Sequence, residues 1–312
     1  MTLPPAATTG SPPAGVSTSP AGSRRSRLPA GLGELGLGTA PLAGDEPAAD
    51  QRAREAVEAA LAAGIDYFDT APLYGAGSAE RRLGSALAGV PRASYRVSTK
   101  AGRRVVGDRV EYDFSADGIA RSVEDSLARL GLDRVDIVHL HDPDNHVRQA
   151  LDEAYPVLDD LRRQGVIGAI GIGMNSPEIP ARFVRETDVD VVLIAGRYTL
   201  LDRSAADDLL TAAADRGVAV IAGGVFNSGI LAGGSTYDYR PASQEVAGRV
   251  EQLAKVCTSY DVSLKAAAMH FPTTHPAVTT VLIGCATAAE VRENVELWRQ
   301  PLPAELWTAL DS

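Results

Sequence analysis

Four residues stand out for the chemistry they could do together: Asp69, Tyr74, Lys100 and His141. Asp69 falls at the end of the apolar run IDYFDT, Pro72 then turns the chain, and Tyr74 precedes a glycine pair in DYFDTAPLYGAGSAE. Asp, Thr, Pro and Gly are ordinary turn formers, so this stretch alone also admits a purely structural reading. Lys100 closes YRVSTK and His141 closes DIVHLH. A phenol with a pKa near 10 is a poor base at neutral pH, but a neighbouring ammonium favours the phenolate. Lowering that pKa by about three units requires about 4 kcal/mol, which one close lysine and a second donor would supply. A carboxylate beside the lysine would hold it charged and in place, and a histidine would fix the angle of a substrate oxygen. The set makes a proton-transfer device over a C–O bond. It lacks a nucleophile–base pair, so its natural partner reaction is hydride transfer with a bound nicotinamide.

Such a device needs a fold that gathers residues far apart in the chain. Eight β-type runs recur: LGLGTA from Leu35, IDYFDT from Ile65, YRVSTK from Tyr95, DIVHLH from Asp136, IGAIGIG from Ile167, VVLIAG from Val191, VAVIAG from Val218 and VTTVLIG from Val278. Between them lie amphipathic helical patterns such as REAVEAALAAG, GIARSVEDSLARLG, ALDEAYPVLDDLRRQG and AADDLLTAAADRG, several ended by a glycine suited to a left-handed cap. Strands alternating with helices imply parallel pairing with helical crossovers. Eight such units predict a single-domain (β/α)8 TIM barrel over residues 28–312. Its chemistry sits at the C-terminal ends of the strands, where Asp69, Lys100 and His141 close the second, third and fourth runs. Tyr74 lies on the loop above the same rim.

One motif favours a doubly wound sheet instead. Residues 31–36, GLGELG, match the dinucleotide fingerprint G-x-G-x-x-G. No strand precedes Gly31, and a strand rather than a helix follows, so the segment reads as a hairpin or bend leading into the first barrel strand.

The rest of the chain narrows the class. With 312 residues and 45% hydrophobic content it can bury a substantial core. A net charge of -10 and a pI near 5.0 exclude nucleic acid and anionic membrane as expected partners, leaving a small-molecule substrate. Two cysteines, Cys257 and Cys285, form no disulfide framework and no metal-ligand spacing, which suits a reducing, cytoplasmic compartment. No apolar run of about 18 residues exists to span a membrane. Residues 1–27, rich in Pro, Ala, Ser, Gly and Thr, read as a disordered tail. The arginine pair in it is followed by a glycine-rich stretch with Glu34, which does not fit an export signal.

From Leu35 to about Trp298 the chain resembles the aldo-keto reductases. The resemblance is carried by GIDYFDTAPLYGAGSAERRLG, VSTKAG, LARLGLDRVDIVHLHD and VLIGCATAAEVRENV, in that order. It implies that Tyr74 is the acid/base, Lys100 its pKa tuner, Asp69 the anchor of Lys100 and His141 the orienter of the reacting oxygen. Within the family, HDPD, GIGMN, AGRYTLLD and FNSGIL are similar to a branch of the D-threo-aldose 1-dehydrogenase, L-fucose dehydrogenase and pyridoxal 4-dehydrogenase type. That likeness implies oxidation of a cyclic hemiacetal at C1. The implied cofactor contacts are Gly38, Thr39, Asp69, Asn175, Phe226, Asn227, Ser228, Gly229, Leu231, Gly284, Glu290 and Asn294; the implied substrate contacts are Tyr74, His141 and Tyr198; no metal is implied.

Departures from the family pattern also carry information. Gly173 and Met174 stand where Ser-Asn often holds the carboxamide, with Asn175 following, and the aromatic that often stacks on the nicotinamide falls near Gly223, leaving Tyr198 or Phe226 to stack. The loop FNSGIL offers backbone N–H groups and the Ser228 hydroxyl to a pyrophosphate. Ala286 stands where an arginine often holds a 2′-phosphate, and Glu290 is nearby, so NAD is expected in preference to NADP. Arg292 is the nearby cation that could reverse this. Arg104, Asp142, Asp144, Arg197 and Tyr198 could reach sugar hydroxyls, although solvated surface is the default fate of such loop residues. The competing functions are an NADPH-dependent aldehyde or ketone reductase, a nucleotide-binding sensor, and a metal-dependent hydrolase built on the H-x-H of His139 and His141.

Overall fold

The computed structural model describes Leu28 and residues 32–44, 46–107 and 109–311. The tail over residues 1–27, and Gly31 of GLGELG, lie outside the described residues.

Eight parallel strands close into a barrel: β1 (Leu35–Gly38), β2 (Tyr67–Asp69), β3 (Arg96–Ala101), β4 (Val135–His141), β5 (Ile167–Met174), β6 (Val191–Ala195), β7 (Ala219–Gly223) and β8 (Val278–Gly284). Each pairs with its neighbours in sequence, and β1 closes against β8 with Gly38 opposite Gly284. This is the (β/α)8 fold expected from the alternation. The bend at Glu34 leads directly into β1, so GLGELG opens a barrel strand rather than a Rossmann helix.

Alternation along each strand sends one set of side chains inward and the other outward. Tyr67, Ile137, Ala169, Val191, Leu193, Ala219, Ile221 and Leu282 form the inner core, against which Leu28 and Leu32 pack. The outward set packs on the helices in a larger cluster that includes Phe68, Val97, Val138, Ile170 and Val192. Gly36 makes room for the interior: a Cβ there would lie 2.5 Å from the Tyr67 ring. The helix Ala49–Ala62 buries Ala49, Ala53, Ala56, Val57 and Ala60, small residues at helical spacing that permit close docking. Ser115, Ser243, Ser263 and Thr287 cap helices by accepting from backbone N–H groups three residues on.

Two of the expected helices are interrupted. Ala150–Ala154 and Ala206–Leu210 form wide π-turns ahead of the α-helices Tyr155–Arg163 and Thr211–Arg216. In the first, Pro156 supplies no N–H for the carbonyl four residues back, and the helix widens just before it. Two short antiparallel hairpins also stand outside the barrel, Arg103–Val106 with Arg109–Tyr112 and Thr236–Tyr237 with Arg240–Pro241. They follow β3 and β7.

Candidate active site

The register of the first four strands places the charged residues. Asp69 pairs with Ser98, and Lys100 pairs with His139. Ser98 and Lys100 alternate inward on β3, as His139 and His141 do on β4. The result is a buried chain: the Tyr67 hydroxyl meets Ser98 Oγ at 2.7 Å, Ser98 Oγ donates to Asp69 Oδ1 at 2.7 Å, and Lys100 Nζ donates to Asp69 Oδ2 at 2.5 Å. Lys100 Nζ also donates to the Thr70 carbonyl at 2.9 Å. Asp69 and Lys100 are 1% and 2% exposed, so water screens neither charge.

Tyr74 comes down onto this pair from the β2 loop. Lys100 Nζ lies 4.8 Å from the centroid of its ring, and the His141 ring meets it edge-on at 6.3 Å and 86°. The four residues singled out by type and spacing thus converge at one rim. Burial by itself would lower the pKa of Lys100, but the Asp69 carboxylate and the Tyr74 phenol outweigh it and hold Lys100 above an ordinary lysine. Tyr74 corrects the sequence expectation. Burial raises its pKa, and the opposing pull of Lys100 does not bring it below an ordinary phenol, so the hydroxyl is protonated at neutral pH. The lowering expected of the lysine is present but is smaller than the desolvation of the phenol.

Burial and then the Lys100 charge push His141 well below the usual histidine range, with Arg103 adding to the effect. A neutral His141 can donate one hydrogen bond. Its Nδ1 is buried without a partner, while Nε2 lies 3.7 Å from Asp142 Oδ2. His139 is fully buried, and its ring occupies the space left by Gly171, where a Cβ would come within 2.2 Å of Nδ1. Burial and Lys100 keep it neutral as well. Among the described residues, no three His, Cys, Asp or Glu side chains gather to hold a metal, so the H-x-H lacks the further ligands a hydrolytic centre needs.

Of the expected cofactor residues, three leave buried acceptors without partners among the described residues: Thr39 Oγ1, Asn227 Oδ1 and Asn294 Oδ1. Buried polar atoms are nearly always paired, and these orphans fit a ligand rich in N–H and O–H groups such as a dinucleotide. Gly38 and Gly284 pair across the β1–β8 seam beside Thr39. The FNSGIL turn is only partly free to meet a pyrophosphate. The N–H groups of Gly229 and Leu231 are both taken by the Phe226 carbonyl, and that of Asn227 by Gly224. Ser228 Oγ accepts from the Tyr239 N–H at 3.0 Å, which leaves its own proton to donate. Asn175 is exposed and its carbonyl accepts from Arg197 Nε at 2.7 Å. The Glu290 carboxylate accepts from the Ala286 N–H at 2.7 Å and is held against the turn where an arginine was missed.

Tyr198 does not belong to the site. Its ring packs on Phe271 and His275, and its hydroxyl meets Thr274 Oγ1 at 3.3 Å, in the segment that enters β8 from the end opposite the rim. Neither substrate contact nor nicotinamide stacking is open to it there. Lys265, in contrast, was missed. It donates to Glu293 at 2.7 Å, lies 6.0 Å from the Phe226 ring and acts electrostatically on Cys285, which hydrogen-bonds Asn294. The signal was available: Ser263 caps the helix Leu264–His270, and barrel helices begin near the rim, so a first-turn lysine falls there.

Comparison with known proteins places the chain in a family. The Aldo/keto reductase family matches residues 34–312. A D-threo-aldose 1-dehydrogenase from Pseudomonas sp is 40% identical over 287 residues, covering 84% of this chain and 87% of its own. A pyridoxal 4-dehydrogenase from Microbacterium luteolum is 37% identical, covering 89% of this chain and 93% of its own. Among solved structures, a glycerol dehydrogenase from Gluconobacter oxydans superposes with a TM-score of 0.77 at 27% identity, covering 90% of each chain.

Proposed function

The chain belongs to the aldo/keto reductase family, whose members are NAD(P)-dependent oxidoreductases, and we propose that it is a dehydrogenase oxidising the C1 hemiacetal of an aldose of the L-fucose or D-arabinose type, or a pyridoxal-like alcohol or hemiacetal. The observation that carries the reading is Lys100, buried between the Asp69 carboxylate and the Tyr74 phenol with His141 edge-on to the same phenol. The names of the two dehydrogenase relatives given above, a D-threo-aldose 1-dehydrogenase and a pyridoxal 4-dehydrogenase, support the substrate class. NAD is the proposed cofactor in preference to NADP, because Ala286 offers no charge to a 2′-phosphate while Glu290 stands beside it and Glu293 offsets Lys265.

The proposed roles are these. A bound nicotinamide supplies the site at which hydride from the reacting carbon is accepted, or from which it is returned. In its phenolate form, which becomes more populated toward alkaline pH, Tyr74 Oη takes the proton of the reacting hydroxyl and becomes the neutral phenol, so the C–O single bond becomes a carbonyl as the hydride leaves. Lys100 favours the phenolate from which this step begins, Asp69 and the Thr70 carbonyl fix Lys100, and neutral His141 donates a hydrogen bond to the reacting oxygen.

A second direction has an observation of its own. The raised pKa of Tyr74 keeps a proton on the phenol at neutral pH, which is the form needed to protonate a carbonyl oxygen during reduction. The test is spectrophotometric: NADH or NADPH formation is followed with L-fucose, D-arabinose, L-galactose, simple alcohols and pyridoxal. Oxidation of aldoses with NAD is expected. Failure to oxidise any sugar or pyridoxal, with reduction of simple aldehydes by NADPH, would replace this reading with the carbonyl reductase.

A further inference from the structure

We infer that Asp142, clamped by Arg103, recognises the hydroxyl on the carbon next to the reacting one, which makes the substrate class a neutral sugar with a free vicinal hydroxyl. The inference rests on the dehydrogenase reading above and adds the residue that selects its substrate.

The backbone makes the placement. After His141 pairs with Gly173, the chain turns at Asp142, whose N–H donates to the Gly173 carbonyl at 3.0 Å and whose φ is +45°. That left-handed conformation is uncommon for a residue with a side chain, and Asp and Asn tolerate it best. It folds the carboxylate back toward the mouth, with Oδ2 3.7 Å from His141 Nε2. The separation is too long for a hydrogen bond, and with His141 neutral the two do not form an ion pair. They face one space instead. An oxygen that accepts from His141 Nε2 has the Asp142 carboxylate as its neighbour, at a separation that two oxygens on adjacent sugar carbons span.

Arg103 holds the carboxylate in that position. Its Nη1 donates to Asp142 Oδ2, leaving Oδ1 without a hydrogen bond among the described residues. Arg103 itself lies 5.4 Å over the Tyr112 ring, and Tyr112 and Phe114 both stack on His146, at 5.7 and 5.6 Å. The hairpin after β3 is thereby fixed to the loop after β4, and the acceptor is preorganised over the tetrad. A carboxylate accepts hydrogen bonds and repels anions, and the guanidinium that could attract an anion is already paired with it. Neutral polyols that carry a donor hydroxyl beside the oxidised carbon fit the site, and substrates ionised there do not.

The test compares an aldose with its 2-deoxy counterpart, in the wild type, Asp142→Gly and Asp142→Asn. Glycine and asparagine both accept the left-handed backbone, so neither change strains the turn. A site built to accept from a substrate hydroxyl rejects the analogue lacking it strongly, and a preference of at least about 100-fold in kcat/KM is expected of the wild type. Asp142→Gly should reduce it to within about five-fold and Asp142→Asn to an intermediate value, with NADH affinity, read by fluorescence, within about three-fold of the wild type in both. If Asp142→Gly loses cofactor binding, the ratio in Asp142→Asn decides. A wild type that oxidises aldoses without this preference, or variants that keep it, overturns the inference while leaving the dehydrogenase reading in place. A wild type that oxidises no aldose overturns both.

Discussion

Replacing Asp69 with asparagine removes one charge from a pair that has no access to water. Both side chains of the Asp69–Lys100 pair are 2% exposed, and the asparagine amide keeps the shape, with one face to Lys100 and the other to the Ser98 hydroxyl. Breaking a buried ion pair by removing one partner costs about 3 to 5 kcal/mol. Lys100 can escape part of that cost by losing its proton. Without Asp69 the burial that lowers its pKa is no longer outweighed, and neutralising it near pH 7 from an ordinary lysine value costs at most about 4.6 kcal/mol. The expected destabilisation near neutral pH is therefore about 3 to 4.6 kcal/mol, read by urea unfolding through tryptophan fluorescence.

The pH dependence has a definite sign. In the wild type the raised Lys100 contributes stability that is fully present below an ordinary lysine pKa of about 10.4 and is lost only as pH rises through the higher folded value. In the variant the folded lysine is depressed, so the unfolded chain binds more protons and stability rises with pH up to about 10.4. The difference between the two proteins should shrink by at least about 1 kcal/mol between about pH 7 and about pH 9.5. A destabilisation under about 1 kcal/mol, or one that stays constant over that interval, would refute the claim that Asp69 holds a buried charged lysine.

Three further outcomes follow from the same geometry. Tyr74→Phe keeps the ring packed on Lys100 and His141, so NADH affinity should stay within about three-fold while turnover falls by about 10²- to 10⁴-fold; turnover close to wild type would remove Tyr74 from its role. Because burial holds the Tyr74 pKa up, oxidation should keep rising toward alkaline pH and reduction should fall there, with no step from His141 near neutrality; a profile flat from mildly acidic to alkaline pH contradicts this. Ala286→Arg combined with Glu293→Gln, which frees Lys265, should tighten NADPH by at least about ten-fold in a fluorescence titration; no gain would mean that the 2′-phosphate does not approach this turn.

What could be read from the sequence depended on how locally each feature is encoded. The eight strands declared themselves through apolar runs stopped by polar residues, and three of those stops delivered Asp69, Lys100 and His141 to the rim. Strand ends fix such residues through period and register alone. The hairpins after β3 and β7 did not declare themselves, because strands as short as Thr236–Tyr237, or as exposed as Arg109–Tyr112, bury too little to impose a pattern. Arg103 and Asp142 are 39 residues apart, and Lys265 and Glu293 are 28 apart, so neither pair follows from spacing. Tyr198 was misplaced for a related reason: an aromatic shortly after a strand can turn into the mouth or out against a helix, and only the tertiary partners Phe271 and His275 decide. The direction of the Tyr74 shift was out of reach as well, since desolvation depends on everything packed around the phenol.

Tyr74 is the one catalytic candidate not set by a strand end, and its position is secured from behind. Gly75, Ala76 and Gly77 all have positive φ, a left-handed turn in which Ala76 bears strain that a glycine would not. Gly75 allows no side chain, since a Cβ would meet the Ala43 carbonyl at 2.7 Å, and Gly77 is covered by the Arg129 side chain, 2.6 Å from where a Cβ would sit. Arg129 continues to Glu80, which is fully buried and accepts from Arg129 Nε and from Thr99 Oγ1, each at 2.6 Å. Thr99 is the outward-facing neighbour of Lys100 on β3. The helix that follows the Tyr74 turn is thus bolted to the strand that carries Lys100 by a network outside the barrel, so the distance between the phenol and the ammonium is set by Glu80 as much as by the turn. A strained loop can then hold the Tyr74 hydroxyl in place, because the helix after it is tied to β3 through the buried Glu80 carboxylate.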